Sequence, residues 1–220
     1  MDFSYILKFL QSIARNNNRA WFEKNKPAYL QAKEAFDQFL EKLLEELIKF
    51  EEGLAGLNPK KLAFRIYRDV RFSKDKRPYK VNMGAGFSPG GKMIQEPGYY
   101  LHIEPGNKSL LAGGLYMPDA NNVAKIRQEI DYNFKEFKKI IDNKDFKKYF
   151  GEISGEKLAR PPKGYDAENP AIEYLKHKSF LMYQKINEKD LLKSGVEKQL
   201  IQSFKAMKPF NDFMNRAMEG

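Results

Sequence analysis

The chain has 220 residues, a length that fits one large domain better than several small ones. It contains no cysteine, which excludes disulfide bonds, a thiolate nucleophile, iron–sulfur clusters and sulfur-ligated zinc. The 39 basic and 29 acidic residues give a net charge of +10, so an anionic partner is the first class to consider.

Apolar residues recur at helical spacing over the first quarter of the chain. The pattern predicts a first helix capped by Ser4 and ended by the asparagines at 16–18, whose last residue can cap a second short helix. Pro27 suits the first turn of a long third helix, which Gly53 and Gly56 are expected to stop.

From about residue 62 to residue 116 the pattern changes to that of short strands separated by Gly, Pro and Asn turns. In one of them, residues 99–104, Tyr100, His102 and Glu104 alternate with apolar residues and share a polar face. This hairpin-like spacing predicts an antiparallel sheet. The predicted strands are 62–67, 84–87, 99–104 and 110–116.

The second half returns to helical spacing after Pro118. A Pro-rich loop at 160–165 precedes a short helix near 169–177 and a last strand at 179–186. Residues 191–218 are mostly helical, and Pro209 is expected to kink or break that helix. The fold class is therefore α+β, with a central, mainly antiparallel sheet flanked by helices from both termini, in a single domain over 1–220.

Most of the surplus charge lies in one basic segment, residues 60–80, with nine basic and two acidic side chains and thus +7. As a strand, it would place Arg65 and Arg71 on one face and Arg68 on the other. Arginine and lysine bind phosphate or carboxylate, and the interleaved aromatics can stack on a ring. A solvated surface with Arg68–Asp69 and Arg71–Asp69 ion pairs is the alternative interpretation.

One motif-like stretch and the two histidines fail as signals of a phosphate loop or a metal site. Residues 86–93 nearly spell a phosphate-binding loop, but Met93 stands where a hydroxyl must meet magnesium, so a glycine-rich hairpin turn is favoured. The two histidines, His102 and His177, have no metal-ligand spacing. The sequence therefore predicts no metal and no cofactor, and it leaves His102 open as a sheet-surface histidine or an acid–base group.

Four stretches together resemble a known family. They read, in chain order, NNNRAWFEKNKPAY, RIYRDVRFSKDKRPYK, GYYLHIEPGNKSLLAGGLYMP and RPPKGYDAENPAIEYLKHKSF. In this order they are similar to the DUF2461 family of bacterial and fungal proteins, and the resemblance covers nearly the whole chain. It implies a single compact domain and supplies neither an activity nor catalytic residues.

The motif-bearing stretches also supply the candidate site residues, several of which we expect to converge on one polar pocket. Asp69, His102 and Glu104 are the candidates for proton transfer, although neighbouring arginines weaken Asp69 as a base. The candidate ligand-binding residues are Asn18, Arg19, Trp21, Arg65, Arg68, Arg71, Lys74, Lys76, Arg77, Tyr79, Lys80, Arg160 and Lys163. Trp21 is otherwise expected to be a core anchor.

Three functions remain open. The first is binding of a phosphate-bearing ligand, either nucleic acid or a nucleotide-like molecule, through the basic segment. The second is an enzyme acting on a small acidic or phosphorylated substrate, with Arg65, Arg68 and Arg71 as an anion clamp. The third is a protein-interaction module that docks on an acidic surface.

The cellular setting is predicted from the same letters. Residues 1–18 lack the basic start and small-residue cleavage site of a signal peptide, and no run approaches 18 apolar residues. We therefore expect a cytoplasmic protein with no membrane partner, and the oligomeric state stays open.

Overall fold

The structure is a computed structural model that describes residues 3–92 and 95–219. It confirms the α+β class, with a four-stranded antiparallel sheet in the order β1-β2-β3-β4. The strands are β1 (Met83–Phe87), β2 (Gly98–Ile103), β3 (Ser109–Leu115) and β4 (Phe180–Ile186). The helices are α1 (Ser4–Arg15), α2 (Arg19–Lys24), α3 (Lys26–Ile48), α4 (Pro59–Leu62), α5 (Ala120–Tyr132), α6 (Phe134–Ile141), α7 (Lys144–Phe150), α8 (Ile172–Leu175), α9 (Glu188–Leu191) and α10 (Val196–Glu219).

The helix boundaries mostly follow the predicted signals. Asn18 caps α2, since its side-chain oxygen accepts a hydrogen bond from the backbone amide of Trp21 at 2.9 Å. Pro27 lies in the first turn of α3 as predicted. Ser4 is the first residue of α1 rather than its cap, a position that Phe3 occupies, and α3 ends at Ile48, before either glycine.

The strand predictions hold for the sheet and are wrong for the start of the basic segment. Of the predicted strand 62–67, Leu62 ends α4, and Ala63 and Tyr67 form only isolated bridges with Ala85 and Tyr79. Irregular backbone follows, so the two predicted faces of alternating arginines do not form. Charged turns and half-buried strands can show the same alternation, which explains the error.

Two further predictions concern proline and glycine. Helix α10 runs without interruption through Pro209, so this residue does not break it. Ser88 and Gly91 exchange backbone hydrogen bonds of 3.2 and 2.8 Å, which makes the turn after β1 that we predicted in place of a phosphate loop. Met93, on which the rejection of that loop depended, lies outside the described residues.

The contacts divide the chain into two compact units. The described residues of the first lie within Met1–Lys92, Tyr100–Leu111 and Lys185–Ile201, and those of the second within Met93–Tyr99, Ala112–Gln184 and Gln202–Gly220. The single domain over 1–220 stays a prediction. Among the described helices, none combines the length and the apolar character needed to cross a membrane.

Each unit has its own apolar core. In the first unit, α1 buries Phe9 and Leu10, and the ring of Phe3 meets that of Phe39 on α3 edge-on at 5.0 Å between centroids. In the second unit, the ring of Phe137 on α6 lies 5.2 Å from that of Phe213 on α10. The first unit contains the whole basic segment, and it therefore positions the candidate site.

Candidate functional site: a cation cluster and a clipped loop

The basic segment forms a loop that is closed at its base by backbone hydrogen bonds. The amide of Arg68 donates to the carbonyl of Pro78 at 2.9 Å, and the amide of Lys80 donates to that of Ile66 at 2.7 Å. Tyr67 and Tyr79 form the antiparallel bridge between them. We call residues 68–78 the basic loop.

Asn17 fastens the base of this loop to the turn between α1 and α2. Its side-chain amide donates to the carbonyl of Tyr79 at 3.0 Å, and its oxygen accepts from the amide of Tyr79 at 3.1 Å. The ring of Phe22 on α2 stacks on the ring of Tyr79, with centroids 4.1 Å apart. The first and second motif-bearing stretches are therefore in direct contact, through the candidate residue Tyr79 and two residues, Asn17 and Phe22, that the sequence did not single out.

Two arginines of the basic loop are held by aspartates two positions before them. Asp69 accepts from Arg71 through Nη2 at 2.7 Å and Nε at 3.0 Å, and Asp75 accepts from Arg77 at the same two distances. These hydrogen bonds are the main reason why the pKa of each carboxyl lies below its usual value of 3.8. We call the two pairs the Asp–Arg clips.

Arg68 crosses the basic loop instead of pairing with its neighbour. Of the two ion pairs in the alternative interpretation, Arg71–Asp69 is present. Arg68 Nη1 instead lies 2.8 Å from Asp75 Oδ2 and also donates to the carbonyl of Arg77. The expected Arg68–Asp69 pair was wrong because closure of the loop brings the second aspartate to Arg68. Lys76 adds a second brace, with Nζ donating to the carbonyl of Val70 at 3.0 Å.

Two lysines gather near the ring of Phe64, just before the loop, and the charge of Arg65 acts on one of them. The ammonium nitrogens of Lys80 and Lys92 lie 5.4 and 5.6 Å from the centroid of the ring, and Lys92 also donates to the carbonyl of Ala63. Burial lowers the pKa of Lys80, and the like charges of Arg65 and Lys92 lower it further. We call Arg65, Lys80 and Lys92 the cation cluster.

The cation cluster contrasts with the basic loop in its partners. Within residues 3–92 and 95–219, no carboxylate oxygen forms an ion pair with any of its three side chains. The charge of Arg65 is the smallest of the causes that lower the pKa of Asp69, and it acts without a hydrogen bond between the two side chains. The clips thus neutralise part of the positive charge of the basic loop, whereas the positive charge of the cation cluster is not neutralised by an ion pair.

The polar face of β2 carries a chain of hydrogen bonds. Tyr100 Oη lies 3.0 Å from His102 Nδ1, and His102 Nε2 lies 2.9 Å from Glu104 Oε2. Because an ionised carboxylate only accepts, a neutral His102 donates a hydrogen bond through Nε2 and accepts one from the Tyr100 hydroxyl at Nδ1. Burial, together with the charge of Glu104, raises the pKa of Tyr100, which stays protonated at neutral pH. The tyrosine ring contacts that of Phe64 at 6.1 Å between centroids.

The remaining candidate residues are more scattered. Arg19 and Lys74 are exposed, and Trp21 is partly exposed rather than a buried anchor. Arg160 and Lys163 are exposed residues of the second unit. Asp69 is held by Arg71, not by a group of the Tyr100–His102–Glu104 chain.

Sequence reasoning missed Asn17, Phe64 and Lys92. The asparagine looked like one of three equivalent residues in a helix end, and its contact with Tyr79 spans 62 positions. Lys92 belongs to residues 86–93, the stretch that resembles a phosphate-binding loop. When that motif was rejected, its lysine was no longer considered as a candidate. The sequence did contain one usable signal, the glycine-rich turn after β1. This turn brings Lys92 back toward Ala63, which forms a bridge with Ala85 of β1.

The second unit contains a separate groove of about 840 Å³ between α6, α7 and α10. Phe146, Pro209 and Phe213 contribute apolar surface, and Glu136 and Arg216 contribute charge. None of the predicted site residues lines it. Among the described residues, no three potential metal ligands come together.

Comparisons with curated proteins and with solved structures give no match. The model of one family, described as a conserved hypothetical protein, matches residues 5–213 of the 220. This match confirms the resemblance carried by the four motif-bearing stretches, and the chain belongs to the DUF2461 family.

Proposed function

We propose that the protein binds a small phosphate-bearing ligand at the cation cluster. The observation that carries the proposal is the placement of Lys80 and Lys92 within 6 Å of one aromatic ring, beside Arg65 and without an ion-paired carboxylate among the described residues. Arginine and lysine both donate to phosphate oxygens, and a phenyl ring offers a stacking surface.

The electrostatics support an anion as the ligand. Burial is the largest cause of the lowered pKa of Lys80, and the like charges of Arg65 and Lys92 lower it further, so an empty site has a raised free energy. A bound phosphate relieves that repulsion, and partial burial strengthens the attraction above its value in water. The arginines of the two clips contribute less to such a site, because their own aspartates already hold them.

Calorimetric titration with inorganic phosphate and pyrophosphate at low salt tests the proposal. We expect Lys80→Gln and Arg65→Gln to weaken binding by about tenfold each, since each removes a charge-assisted contact. Lys8→Gln, which removes an exposed lysine from α1 of the same unit, is the matched control and should bind as the wild type does. Absence of binding at low salt, or equal losses in the control, would contradict the proposal.

An enzyme acting on a small phosphorylated substrate is the second candidate, and the Tyr100–His102–Glu104 chain is the observation that favours it. The Tyr100 ring contacts that of Phe64, and its hydroxyl oxygen can accept a proton from an attacking water while its own proton passes to His102 Nδ1. Glu104 then stabilises the charged imidazole, so the chain can act as a general base for a ligand held by the cation cluster. Hydrolysis of p-nitrophenyl phosphate that is lost in His102→Gln, with phosphate binding unchanged, would support it. Equal release of p-nitrophenol by both proteins would reject it.

A further inference from the structure

The basic loop presents one large apolar side chain almost entirely to solvent. Phe72 is 96% exposed, more than any other large apolar residue that the structure describes. The guanidinium of its predecessor, Arg71, lies 5.8 Å from the ring centroid. The ring contributes no hydrophobic stabilisation to the fold, because almost all of its apolar surface stays in contact with water.

The loop that carries Phe72 is braced on both sides. One clip precedes the ring and the other follows it, and Arg68 and Lys76 cross-link the two arms. A surface segment with four such internal contacts is ordered before any partner arrives, which lowers the entropy lost on binding.

The clips also orient the arginines for a second contact. Arg71 and Arg77 each use Nε and Nη2 on the aspartate, so Nη1 lies outside the clip, and both side chains are more than half exposed. A guanidinium can hold a carboxylate on one edge and a phosphate oxygen on the other, since its donors lie in a planar fork. Lys74, exposed between the clips, adds an ammonium group.

We propose that the physiological ligand is a single-stranded nucleic acid, with a base stacked on Phe72, phosphates on Arg71, Lys74 and Arg77, and one phosphate in the cation cluster. This inference rests on the proposed function, because it assigns the cluster's phosphate to a nucleic acid backbone. Aromatic stacking combined with a cationic track is the general means by which proteins hold single strands.

The chemistry of the loop favours a single strand over the other anionic partners. In a duplex the bases are stacked on each other, so Phe72 would find no free ring face. An anionic bilayer would meet Asp69 and Asp75 together with the cations, and a single phenyl ring is a weak anchor. A strand is narrow enough to contact the ring and the guanidinium edges outside the clips.

Fluorescence anisotropy with a labelled dT12 strand, a duplex of the same length and phosphatidylserine vesicles, all at low salt, tests the inference. We expect dT12 to bind at least tenfold more tightly than the duplex. Phe72→Ala and Phe72→Leu should each weaken dT12 binding about tenfold, and Phe72→Tyr should retain it, because only aromatic rings stack. Phosphate binding by calorimetry should be the same in all four proteins.

Each other outcome separates this inference from the proposed function. If phosphate binds at the cation cluster but dT12 binding is absent or indifferent to Phe72, the inference falls and the proposed function stands. Vesicle binding that Phe72→Leu retains, without dT12 binding, also overturns the inference. If neither phosphate nor dT12 binds, both fall.

Discussion

Asp69 and Asp75 each hold the arginine two positions further along the chain, with the same pair of donors and nearly the same distances. The repeated spacing provides a built-in control, because either clip can be opened while the other stays. Both carboxyls have a pKa below 3.8, and in both the side-chain hydrogen bond from the arginine is the largest cause.

The first prediction concerns these two carboxyls. Arg77→Gln should raise the pKa of Asp75 toward 3.8 and leave Asp69 unchanged, and Arg71→Gln should do the reverse. A carboxyl with a depressed pKa stabilises the fold above its unfolded value, and this contribution is lost as pH falls through the lower, folded value. The clips should therefore persist down to pH 4. Carboxyl carbon NMR titrations measure both values, and a shift of both by one substitution would show that the clips are not independent.

At this scale the sequence was informative where the contact is local. The Arg71–Asp69 pair spans two residues, and the alternative interpretation of the basic segment already contained it. The Arg68–Asp75 pair and the grip of Asn17 on Tyr79 depend on how the chain folds back, so no local pattern indicates them. Lys92 joins Arg65 and Lys80 for the same reason.

At the scale of elements, the pairing of β3 with β4 leaves no room for a side chain at one position. Gly114 has a φ of +100°, and a Cβ built on it would lie 2.0 Å from the carbonyl oxygen of Phe180 in β4. Gly164, in the Pro-rich loop, has a similar φ of +92° and no atom within 4 Å of such a Cβ. A side chain at Gly164 would therefore meet backbone strain alone, whereas one at Gly114 would also meet the backbone of β4.

The second prediction compares alanine at these glycines. Gly164→Ala should lower the free energy of unfolding by about 1–2 kcal/mol, the cost of the left-handed backbone. Gly114→Ala should cost about 1–3 kcal/mol more, because the backbone of β4 must move away. Urea denaturation of the two variants gives the difference, and equal losses would contradict the close approach of β3 and β4.

The elements themselves were largely predictable, because their apolar periods are strong. The burial pattern of β2 alternates along its length as the sequence indicated, and Asp119 caps α5 through the amide of Asn122. The basic segment was the exception. Its alternating charges resemble those of a strand, but backbone pairing is limited to isolated bridges, and within the basic loop side chains make most of the contacts.

At the scale of the whole molecule, acid stability should report on a buried histidine. His177 is 1% exposed, and burial, aided by the charge of Lys157, lowers its pKa from 6.5 to about 4. The unfolded chain therefore takes up this proton at a higher pH than the folded chain does. The contribution of His177 to the free energy of unfolding is fully present above pH 6.5. It is lost as pH falls from 6.5 to about 4, because the unfolded chain binds the proton more tightly in that window.

The third prediction follows from this sign. Between pH 6.5 and 4.5 the free energy of unfolding of the wild type should fall by about 1.4 kcal/mol per pH unit more than that of His177→Gln. Urea denaturation at several pH values gives both slopes. Parallel slopes for the two proteins would show that His177 is protonated as readily in the folded state as in the unfolded one.

The central claim for the molecule is that Arg65, Lys80 and Lys92 hold a phosphate-bearing ligand. The NMR signal of the Lys80 side chain, assigned by its loss in Lys80→Gln and followed through an alkaline titration, tests this most directly. We predict a midpoint below 10.5 in the free protein and a rise on addition of inorganic phosphate, because a bound anion favours the charged ammonium group. A midpoint that phosphate leaves unchanged would contradict the claim.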